Sequence, residues 1–235
     1  MKKLIIIPAY NEHLNIEKTV EDIIQNAPDF DYVIINDCST DNTAQICEDR
    51  GFNYVSLPVN LGIGGAVQTG YKYAYKYGYD IAVQVDGDGQ HDPKFLSLMA
   101  DTLTAENADM VVGSRFLERE GFQSSKIRRV GITYFTGLIK LLTGQKITDP
   151  TSGLRMAGRS VIEDFAKSYP RDYPEPESMV HILRYHKKVI ELPVLMRERQ
   201  GGKSSIRFFS SIYYMIKVTV AILTEMMRRK DKENA

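Results

Sequence analysis

Short apolar runs rich in Ile and Val alternate with segments of helical periodicity through the first half of this 235-residue chain. The apolar runs cover residues 4–7, 32–35, 54–57, 81–85 and 110–112, and their length and β-branched content are typical of buried strands. Helix signals mark residues 16–24, 39–50, 64–77 and a segment that begins at Asp92 and Pro93. This alternation predicts an α/β fold in which helices cover both faces of a mostly parallel sheet.

A polar cluster directly follows three of these strands, at residues 8–12, 36–41 and 86–92. Ligands of parallel α/β sheets bind beyond the carboxyl ends of the strands. We therefore expect the three clusters to meet along one edge of the sheet and to form the functional site.

The third cluster holds the strongest chemical signal, Asp86-Gly87-Asp88 after a buried strand. Side chains at positions i and i+2 of a strand share a face, so both carboxylates can approach one hard cation, with Gln90 as a further oxygen ligand. The alternative is a solvated turn that caps the following helix. Two adjacent carboxylates repel each other unless a cation neutralises them, and this favours a metal site.

Other ligand-binding motifs fit the chain less well. An EF-hand loop requires glycine where this chain has His91, and a bidentate glutamate where it has Ser97. The loop also resembles that of haloacid-dehalogenase-like phosphatases, which normally follows the first strand rather than a later one. Gly62, Gly64 and Gly65 lack the third glycine of a dinucleotide fingerprint, which argues against NAD binding. Their N–H groups either face a phosphate or lie against the sheet edge.

Three single residues have two interpretations each. Asp37 and Glu12 follow strands, where a carboxylate can accept hydrogen bonds from a base or ribose or can cap the next helix. Arg115 follows Gly113-Ser114 and either pairs with a phosphate through two N–H groups or forms an ordinary surface ion pair.

The second half of the chain is less regular. Residues 127–142 have the pattern of an amphipathic helix with Lys126, Arg128 and Arg129 at its start. Residues 149–153 have the composition of a turn, and residues 189–195 that of a last strand.

Two further groups of charged residues follow. Arg197, Arg199 and Lys203 surround two glycines in a loop that suits a diphosphate, or they form an ordinary solvated loop. Glu175 and Glu177 provide a catalytic base, or they only stabilise the start of a helix.

Composition limits the classes of function. Thirty basic and thirty acidic residues leave no net charge, which argues against a general nucleic-acid binder. Two cysteines make neither a disulfide scaffold nor a four-ligand zinc site and indicate the cytosol. The chain contains no uninterrupted apolar stretch of about 20 residues, the length that a membrane-spanning helix needs.

The C-terminal segment differs in character from the rest. Residues 206–227 are largely apolar, interrupted by Arg207, Lys217 and Glu225, and three basic residues follow. From residue 197 to the end there are nine basic and four acidic residues. We expect one domain over residues 1–205 and, over residues 206–235, an amphipathic helix with a basic tail that contacts an anionic membrane surface. The alternative is a helix that docks on the core or on another subunit.

Seven short motifs occur along the chain in a specific order. They are IPAYNE at 7–12, NDCSTD at 36–41, NLGIGGA at 60–66, DGDGQH at 86–91, GSR at 113–115, DPTSG at 149–153 and GKSS at 202–205. In this order they resemble family 2 glycosyltransferases, most closely the branch of dolichol-phosphate mannosyltransferase and bacterial polyprenyl-phosphate glycosyltransferases. The resemblance spans about residues 3–205 and implies the GT-A fold, a Rossmann-like, nucleotide-sugar-binding mixed sheet flanked by helices.

The resemblance also implies roles for individual residues. The nucleoside of the donor would contact Pro8, Ala9, Tyr10, Glu12 and Asp37. The sugar-diphosphate and its Mg²⁺ or Mn²⁺ ion would contact Asp86, Gly87 and Asp88, with Gln90 completing the metal site. Phosphate groups of donor or acceptor would contact Arg115, Arg128 or Arg129, and Arg197, Arg199 or Lys203. The sequence Asn36-Asp37-Cys38-Ser39 departs from the usual Asp-Asp-Gly-Ser, which implies one different polar contact to the base.

The expected function is that of a metal-dependent, inverting glycosyltransferase with a polyprenyl phosphate acceptor on the cytoplasmic face of a membrane. An ionised lipid phosphate needs no general base, whereas a glycan hydroxyl, the alternative acceptor, would need Glu175 or Glu177. A noncatalytic nucleotide-sugar-binding scaffold is a third hypothesis. Relatives in this branch often carry spanning helices, so we expect contact with the membrane surface or with a membrane-protein partner; self-association stays open.

Overall fold

A computed structural model of the chain describes residues 1–118, 126–172, 174–197 and 208–228. The strands are β1 (Lys3–Ala9), β2 (Asp31–Asn36), β3 (Tyr54–Ser56), β4 (Ile81–Gln84), β5 (Met110–Ser114), β6 (Arg155–Gly158) and β7 (Val189–Pro193). The helices are α1 (Ile16–Asn26), α2 (Thr43–Asp49), α3 (Gly62–Lys76), α4 (Phe95–Ala105), α5 (Lys126–Thr143), α6 (Arg159–Lys167), α7 (Pro174–Arg184) and α8 (Phe208–Met227).

The seven strands form one mixed sheet in the order β3-β2-β1-β4-β6-β5-β7. Strands β1, β2, β3 and β4 pair in parallel, as do β5 and β7. Strand β6 is antiparallel to both of its neighbours, β4 and β5. The predicted α/β fold with helices flanking a mixed sheet is therefore confirmed.

The apolar run of β1 is continuous because the sheet is buried on both faces. Leu4 and Ile6 join the core shared with helices α3, α5, α6, α7 and α8, whereas Ile5 and Ile7 join the core shared with α1, α2 and α4. All four side chains are fully buried. The sheet thus holds its strand ends rigidly in place between two helical layers.

Two predicted helices begin later than expected. Helix α2 begins at Thr43, whose N–H donates to Asp41 Oδ1 (2.9 Å), because the preceding residues form the loop after β2. Helix α4 begins at Phe95, and Asp92 Oδ1 accepts the N–H of Lys94 (3.1 Å) in the turn before it. Strand β6 and helix α6 had no counterpart among the predicted elements, and α7 was anticipated only as the helix start considered for Glu175 and Glu177.

Helix α8 docks on the core through one side. Val218 and Ile222 are buried with side chains of α5 and α7. The alternative interpretation of the C-terminal segment, docking on the core, is therefore correct for this side of the helix. Among the described residues, every helix is too short or too polar to cross a membrane.

Candidate active site

The carboxyl ends of β1, β2 and β4 meet at one edge of the sheet, as predicted. The N–H of Asp37, just after β2, donates to the carbonyl oxygen of Ala9 at the end of β1 (2.9 Å). Gly87 lies close to β1, because a Cβ placed on it would be 3.2 Å from the carbonyl oxygen of Pro8 and 3.7 Å from Glu12 Cγ. Residues predicted to bind the nucleoside and the diphosphate therefore share one continuous surface.

Asp37 is buried, and one of its oxygens holds a neighbouring turn. Oδ1 accepts the backbone N–H of Leu61 (2.7 Å), and the Asp37 carbonyl oxygen accepts the side-chain amide of Asn60 (3.1 Å). The proposed alternative role, capping the helix that follows, is wrong, because α2 begins at Thr43 beside Asp41. Asp37 therefore connects the end of β2 to the turn that precedes α3.

Glu12 and Tyr10 extend this edge. Glu12 Oε2 accepts the side-chain amide of Asn15 (2.8 Å), and the Glu12 N–H donates to Thr43 Oγ1 (2.9 Å). The Tyr10 ring is about half exposed. The carboxylate of Glu12 is thus held by the start of α1 while an aromatic face beside it is open to solvent.

Asp86 is oriented by two residues that the sequence analysis did not assign to the site. The Gln84 side-chain amide donates to Asp86 Oδ1 (2.9 Å) from the end of β4. The Asp86 N–H donates to Nδ1 of the buried His91 (3.0 Å), so Nε2 of that ring carries the proton and lies 3.8 Å from Asp86 Oδ2. Asp86 is therefore fixed on both sides although its carboxylate is partly exposed.

Asp88 and Gln90 lie in the same turn. The turn passes through Gly89, whose φ of 74° is in the left-handed region that favours glycine. The Gln90 N–H donates to Asp88 Oδ1 (3.1 Å), and the Gln90 side-chain amide donates to the carbonyl oxygen of Arg197 (3.4 Å). The structure therefore places the three predicted metal ligands, Asp86, Asp88 and Gln90, within one short loop.

Gly153 lies directly beside the carboxylate of Asp86. A Cβ on Gly153 would be 3.1 Å from Asp86 Oδ2 and 3.3 Å from Gln84 Nε2. Its φ lies outside the left-handed region, so backbone conformation does not require glycine there. The absence of a side chain instead lets the loop before β6 lie against the carboxylate of Asp86.

Arg115 forms a buried ion pair that positions residues 148–153. Its Nε and Nη2 donate to the two oxygens of the fully buried Asp149 (2.6 and 2.7 Å), and Nη2 also donates to Thr151 Oγ1 (3.0 Å). Glu191 of β7 accepts the N–H groups of Thr148 and Asp149. Arg115 therefore does form an ion pair, but in the interior rather than at the surface, and its Nε and Nη2 are occupied by Asp149.

Arg155 is a second buried arginine and escaped the sequence analysis. It donates to the carbonyl oxygens of Ser152 and Pro150 (2.8 Å each) and to Ser178 Oγ of α7 (2.9 Å). Its guanidinium thus joins the loop beside Asp86 to α7. A sequence offers no signal that distinguishes a buried arginine from an exposed one, although the position two residues after Gly153 places it next to a recognised motif.

The guanidinium of Arg197 is paired with two carboxylates of the protein. Its Nη1 pairs with Asp22 (2.6 Å) and its Nη2 with Asp92 (2.8 Å), while its N–H donates to the Gln90 carbonyl oxygen (2.9 Å). The structure therefore assigns Arg197 to joining α1, the loop after β4 and the segment after β7. Arg199, Lys203 and the side chain of Arg128 lie outside the described residues, and Arg129 is exposed on α5.

Glu175 and Glu177 lie in the first turn of α7, as the helix-start interpretation predicted. Glu177 lines a cavity of about 220 Å³ together with Tyr169, His181 and Glu225. Burial, and secondarily the negative charge of Glu225, raises the pKa of the Glu177 carboxyl above its usual value. This cavity is bounded by α6, α7 and α8, so the side chain of Glu177 points toward α6 and α8.

The glycine-rich start of α3 packs against the segment that precedes α7. The Gly64 N–H donates to the carbonyl oxygen of Arg171 (3.1 Å), and a Cβ on Gly64 would overlap the carbonyl oxygens of Pro170 and Arg171. The alternative phosphate-binding role of this N–H group is therefore wrong. Gly64 instead allows the segment before α7 to approach α3 closely.

The profile of the Glycosyl transferase family 2 domain matches residues 4–165, more than half of the chain. The chain belongs to glycosyltransferase family 2. This is the enzyme family that the order of the motifs indicated. Membership also overturns the hypothesis of a noncatalytic scaffold.

Several relatives of this family 2 glycosyltransferase use lipid phosphates, according to their names. The chain is 32% identical to UDP-N-acetylglucosamine–dolichyl-phosphate N-acetylglucosaminyltransferase of Methanococcus voltae over 68% of this chain and 70% of that protein. It is 27% identical to undecaprenyl-phosphate mannosyltransferase of Micrococcus luteus over 88% of each. It is 26% identical to polyprenol monophosphomannose synthase of Mycolicibacterium smegmatis over 87% and 81%.

Solved structures show the same fold. Glucosyl-3-phosphoglycerate synthase of Mycobacterium tuberculosis, in complex with Mn²⁺, UDP and glucosyl-3-phosphoglycerate, superimposes with a TM-score of 0.74 at 19% identity, covering 98% of this chain and 81% of that one. Its complex with Mn²⁺, UDP-glucose and phosphoglyceric acid gives a TM-score of 0.72 with the same identity and coverage. At this identity the likeness shows the GT-A fold alone.

Proposed function

We propose that this family 2 glycosyltransferase transfers a sugar from a nucleotide sugar to a polyprenyl phosphate, with Mg²⁺ or Mn²⁺ held at Asp86 and Asp88. The observation that carries this proposal is the environment of Asp86. Its carboxylate is oriented by Gln84 and lies beside Gly153, at the edge where the segments predicted to bind the nucleoside and the diphosphate meet.

The residues of this loop fit a divalent cation. Mg²⁺ and Mn²⁺ prefer oxygen ligands, and Mg²⁺ is commonly held by one or two carboxylates together with substrate phosphates. Asp86 and Asp88 supply such carboxylates, with the side-chain oxygen of Gln90 as a further ligand. Among the described residues no group of three or more His, Cys, Asp or Glu side chains forms a metal cluster, which agrees with a site completed by the diphosphate. The bound cation would stabilise charge on the leaving nucleoside diphosphate.

The donor nucleoside would lie along the end of β1. Pro8, Ala9 and Tyr10 offer backbone and ring surface, while Glu12 and Asp37 offer carboxylates that can accept hydrogen bonds from ribose or base. One oxygen of Asp37 is already used by the Leu61 N–H, so recognition would use the other. Gly87, which approaches Pro8, would let the diphosphate pass close to the backbone.

The names of the relatives support a lipid phosphate as acceptor. A phosphate oxygen would attack the anomeric carbon from the side opposite the diphosphate, the bond to the diphosphate would break, and the configuration would invert. A phosphate monoester is ionised near neutral pH, so this attack needs no general base. Arg128 and Arg129 at the start of α5 would bind the acceptor phosphate, and Arg199 and Lys203 the donor diphosphate. Arg115 would act by holding residues 148–153 beside Asp86.

A hydroxyl-bearing glycan is the second candidate acceptor. Glu177 in the first turn of α7 would then have to accept the proton of the hydroxyl, and burial raises the pKa of its carboxyl, although this carboxyl lines the cavity bounded by α6, α7 and α8. Glu177→Gln would then abolish transfer and leave donor binding intact. With a lipid phosphate as acceptor, the same variant would keep its rate of transfer.

The test is the release of nucleoside diphosphate from UDP-, GDP- and dTDP-sugars, with Mg²⁺ or Mn²⁺, with and without a polyprenyl phosphate. We expect one donor to be consumed only in the presence of lipid. Asp88→Asn should lower the rate by on the order of 100-fold, whereas the exposed Asp101→Asn on α4 should not change it. Full activity of Asp88→Asn would overturn the metal assignment, and lipid-independent transfer to a glycan would overturn the acceptor.

A further inference from the structure

The loop at residues 86–92, which we call the carboxylate loop, carries the three predicted metal ligands and lies against helix α1. Thr19 Oγ1 of α1 donates to the carbonyl oxygen of Gly87 (3.2 Å), and this hydrogen bond is buried. A Cβ placed on Gly89 would be 3.5 Å from the same hydroxyl oxygen. Helix α1 therefore supports the first half of the carboxylate loop directly.

The second half of the carboxylate loop is paired with the segment that follows β7. The Arg197 N–H donates to the carbonyl oxygen of Gln90 (2.9 Å), and the Gln90 side-chain amide donates back to the carbonyl oxygen of Arg197 (3.4 Å). His91 and Met196 form a single antiparallel β-bridge next to this pair. Because the nitrogen of the Gln90 amide is engaged, its oxygen is the atom that remains for a cation. The position of the main chain at residue 197 therefore influences where that oxygen lies.

The Arg197 side chain fixes this segment by joining carboxylates of two different elements. Its Nη1 is 2.6 Å from Asp22 Oδ2 on α1, and its Nη2 is 2.8 Å from Asp92 Oδ1 at the end of the carboxylate loop. A planar guanidinium presents its N–H groups in a fixed fork, so binding both carboxylates at once restricts the position of residue 197. We call these three side chains the Arg197 clamp.

Asp22 is itself oriented for this contact. Asn26, one turn further along α1, donates its side-chain amide to Asp22 Oδ1 (2.7 Å), and Arg197 binds the other oxygen. Thr19 and Asp22 are three residues apart and therefore lie on the same side of α1. That side of α1 thus holds the carboxylate loop at two places, directly through Thr19 and indirectly through Arg197.

The clamp also bears on what Arg197 can bind. Its single positive charge faces two carboxylates, which more than balance it. A diphosphate would have to displace Asp22 or Asp92 in order to use the same N–H groups. The contacts therefore favour an effect of Arg197 on the carboxylate loop over direct contact with the donor.

We propose that Arg197 is a positioning residue for the cation site. By joining Asp22 to Asp92 it holds the carboxylate loop in place and keeps the side-chain oxygen of Gln90 available to the cation, without touching cation or donor itself. Residues that orient metal ligands in this way typically contribute about 10- to 100-fold in metal affinity. The effect on the cation rests on the proposed function, whereas the effect on the loop is a property of the fold.

The first measurement is amide hydrogen exchange of residues 86–92 in the full chain, without metal or nucleotide. Arg197→Gln removes the fork and its charge, so exchange in the carboxylate loop should become faster by roughly fivefold. Arg50→Gln is the matched control, because Arg50 pairs with Glu17 on the same helix but lies outside the loop. This variant should leave the exchange of residues 86–92 unchanged.

The second measurement is the Mn²⁺ concentration that gives half-maximal binding of a nucleoside diphosphate, with UDP, GDP and dTDP tried first on the unmodified chain. Arg197→Gln should raise this concentration about tenfold, and Arg50→Gln should not change it. Asp22→Asn should shift it in the same direction as Arg197→Gln. The double variant should bind no more weakly than Arg197→Gln alone, because both changes break the same ion pair. Arg197→Lys, which keeps the charge but not the fork, should recover only part of the loss.

A direct contact between Arg197 and the donor phosphates predicts a different pattern. Asp22→Asn would then free the guanidinium and leave nucleotide binding unchanged or stronger, and Arg197→Gln would weaken the nucleotide equally at every Mn²⁺ concentration. That pattern would overturn the proposal, and so would a carboxylate loop whose exchange is the same in Arg197→Gln as in the unmodified chain. Asp22→Asn replaces a single side-chain atom, so the test stands even where Arg197→Gln lowers the unfolding midpoint.

The two measurements also separate this proposal from the proposed function. An unmodified chain that binds none of the three nucleotides in the presence of Mn²⁺ would contradict the proposed function. The hydrogen exchange of the carboxylate loop needs neither metal nor nucleotide, and it alone would then decide whether Arg197 holds that loop.

Discussion

Replacing Gly153 by alanine tests the space beside Asp86 with a single methyl group. The added Cβ would lie 3.1 Å from Asp86 Oδ2 and 3.3 Å from Gln84 Nε2, so the carboxylate or the loop has to move by a few tenths of an ångström. The backbone conformation of Gly153 is accessible to alanine. The substitution should therefore disturb the site without disturbing the fold.

The size of the effect follows from the required displacement. A shift of 1 Å at a reacting group costs on the order of 100-fold in rate, so a few tenths of an ångström predict a fall in kcat/KM of roughly 3- to 30-fold. This corresponds to about 0.7–2 kcal/mol of transition-state stabilisation. The donor KM should rise with the loss, since the methyl group also fills space that a diphosphate or cation would use.

The assay measures nucleoside diphosphate release as a function of donor and Mn²⁺ concentration, together with the thermal unfolding midpoint. Gly158→Ala is the matched control: Gly158 lies at the other end of β6, where a Cβ would be 3.4 Å from its nearest neighbour, an ordinary contact. Both variants should unfold at about the temperature of the unmodified chain. A Gly153→Ala variant that keeps its kcat/KM within about twofold, or a Gly158→Ala variant that loses as much, would contradict this expectation.

Three further predictions concern stability and thiol chemistry. Arg155→Met should lower the free energy of unfolding by about 2–4 kcal/mol, because two buried carbonyl oxygens lose their donor, whereas Arg159→Met should cost less than about 1 kcal/mol; equal effects in urea unfolding would contradict this. Burial raises the pKa of the Cys47 thiol to about 11, so at about pH 8 a thiol reagent should label only Cys38 in the folded chain, and labelling of both would contradict the structure. Although burial opposes ionisation of Glu225, the neighbouring histidine and arginine keep its pKa below the usual value. The ionised Glu225 therefore stabilises the fold above the unfolded-state pKa of about 4.3, and this stabilisation is lost as the pH falls further. Glu225→Gln should be less stable than the unmodified chain at neutral pH, and the difference should vanish in acid. A difference in unfolding free energy that stays constant with pH would argue against this prediction.

The parallel part of the sheet could be predicted because its strands are buried on both faces. The run at residues 4–7 is apolar at every position, and the two core clusters divide it alternately. Strand β6 could not be predicted in this way, since it has four residues and begins with Arg155. That arginine is tolerated in the interior only because Pro150, Ser152 and Ser178 supply acceptors, and one of these, Ser178, lies on helix α7.

The basic residues show a second limit of sequence reasoning. A motif can indicate that Arg115 and Arg197 matter without showing what they bind. The carboxylate partner of Arg115 is Asp149, 34 positions away, and one partner of Arg197 is Asp22, 175 positions away. An arginine that suits a phosphate suits a carboxylate equally well, because both present two oxygens to the same planar fork. Only the fold decides between them.

The direction of β6 explains why residues 149–153, although recognised as a turn and a motif, were not placed next to Asp86. In a parallel sheet the residues that follow a strand lie at the ligand-binding edge, and this rule correctly located the ends of β1, β2 and β4. Strand β6 runs the opposite way between β4 and β5, so the residues that precede it occupy that edge. Residues 149–153 therefore reach Asp86 from before their strand, held there by Arg115 and Arg155. One reversed strand thus places a preorganised loop against the carboxylate, and the same reversal hides that loop from a rule that considers only what comes after each strand.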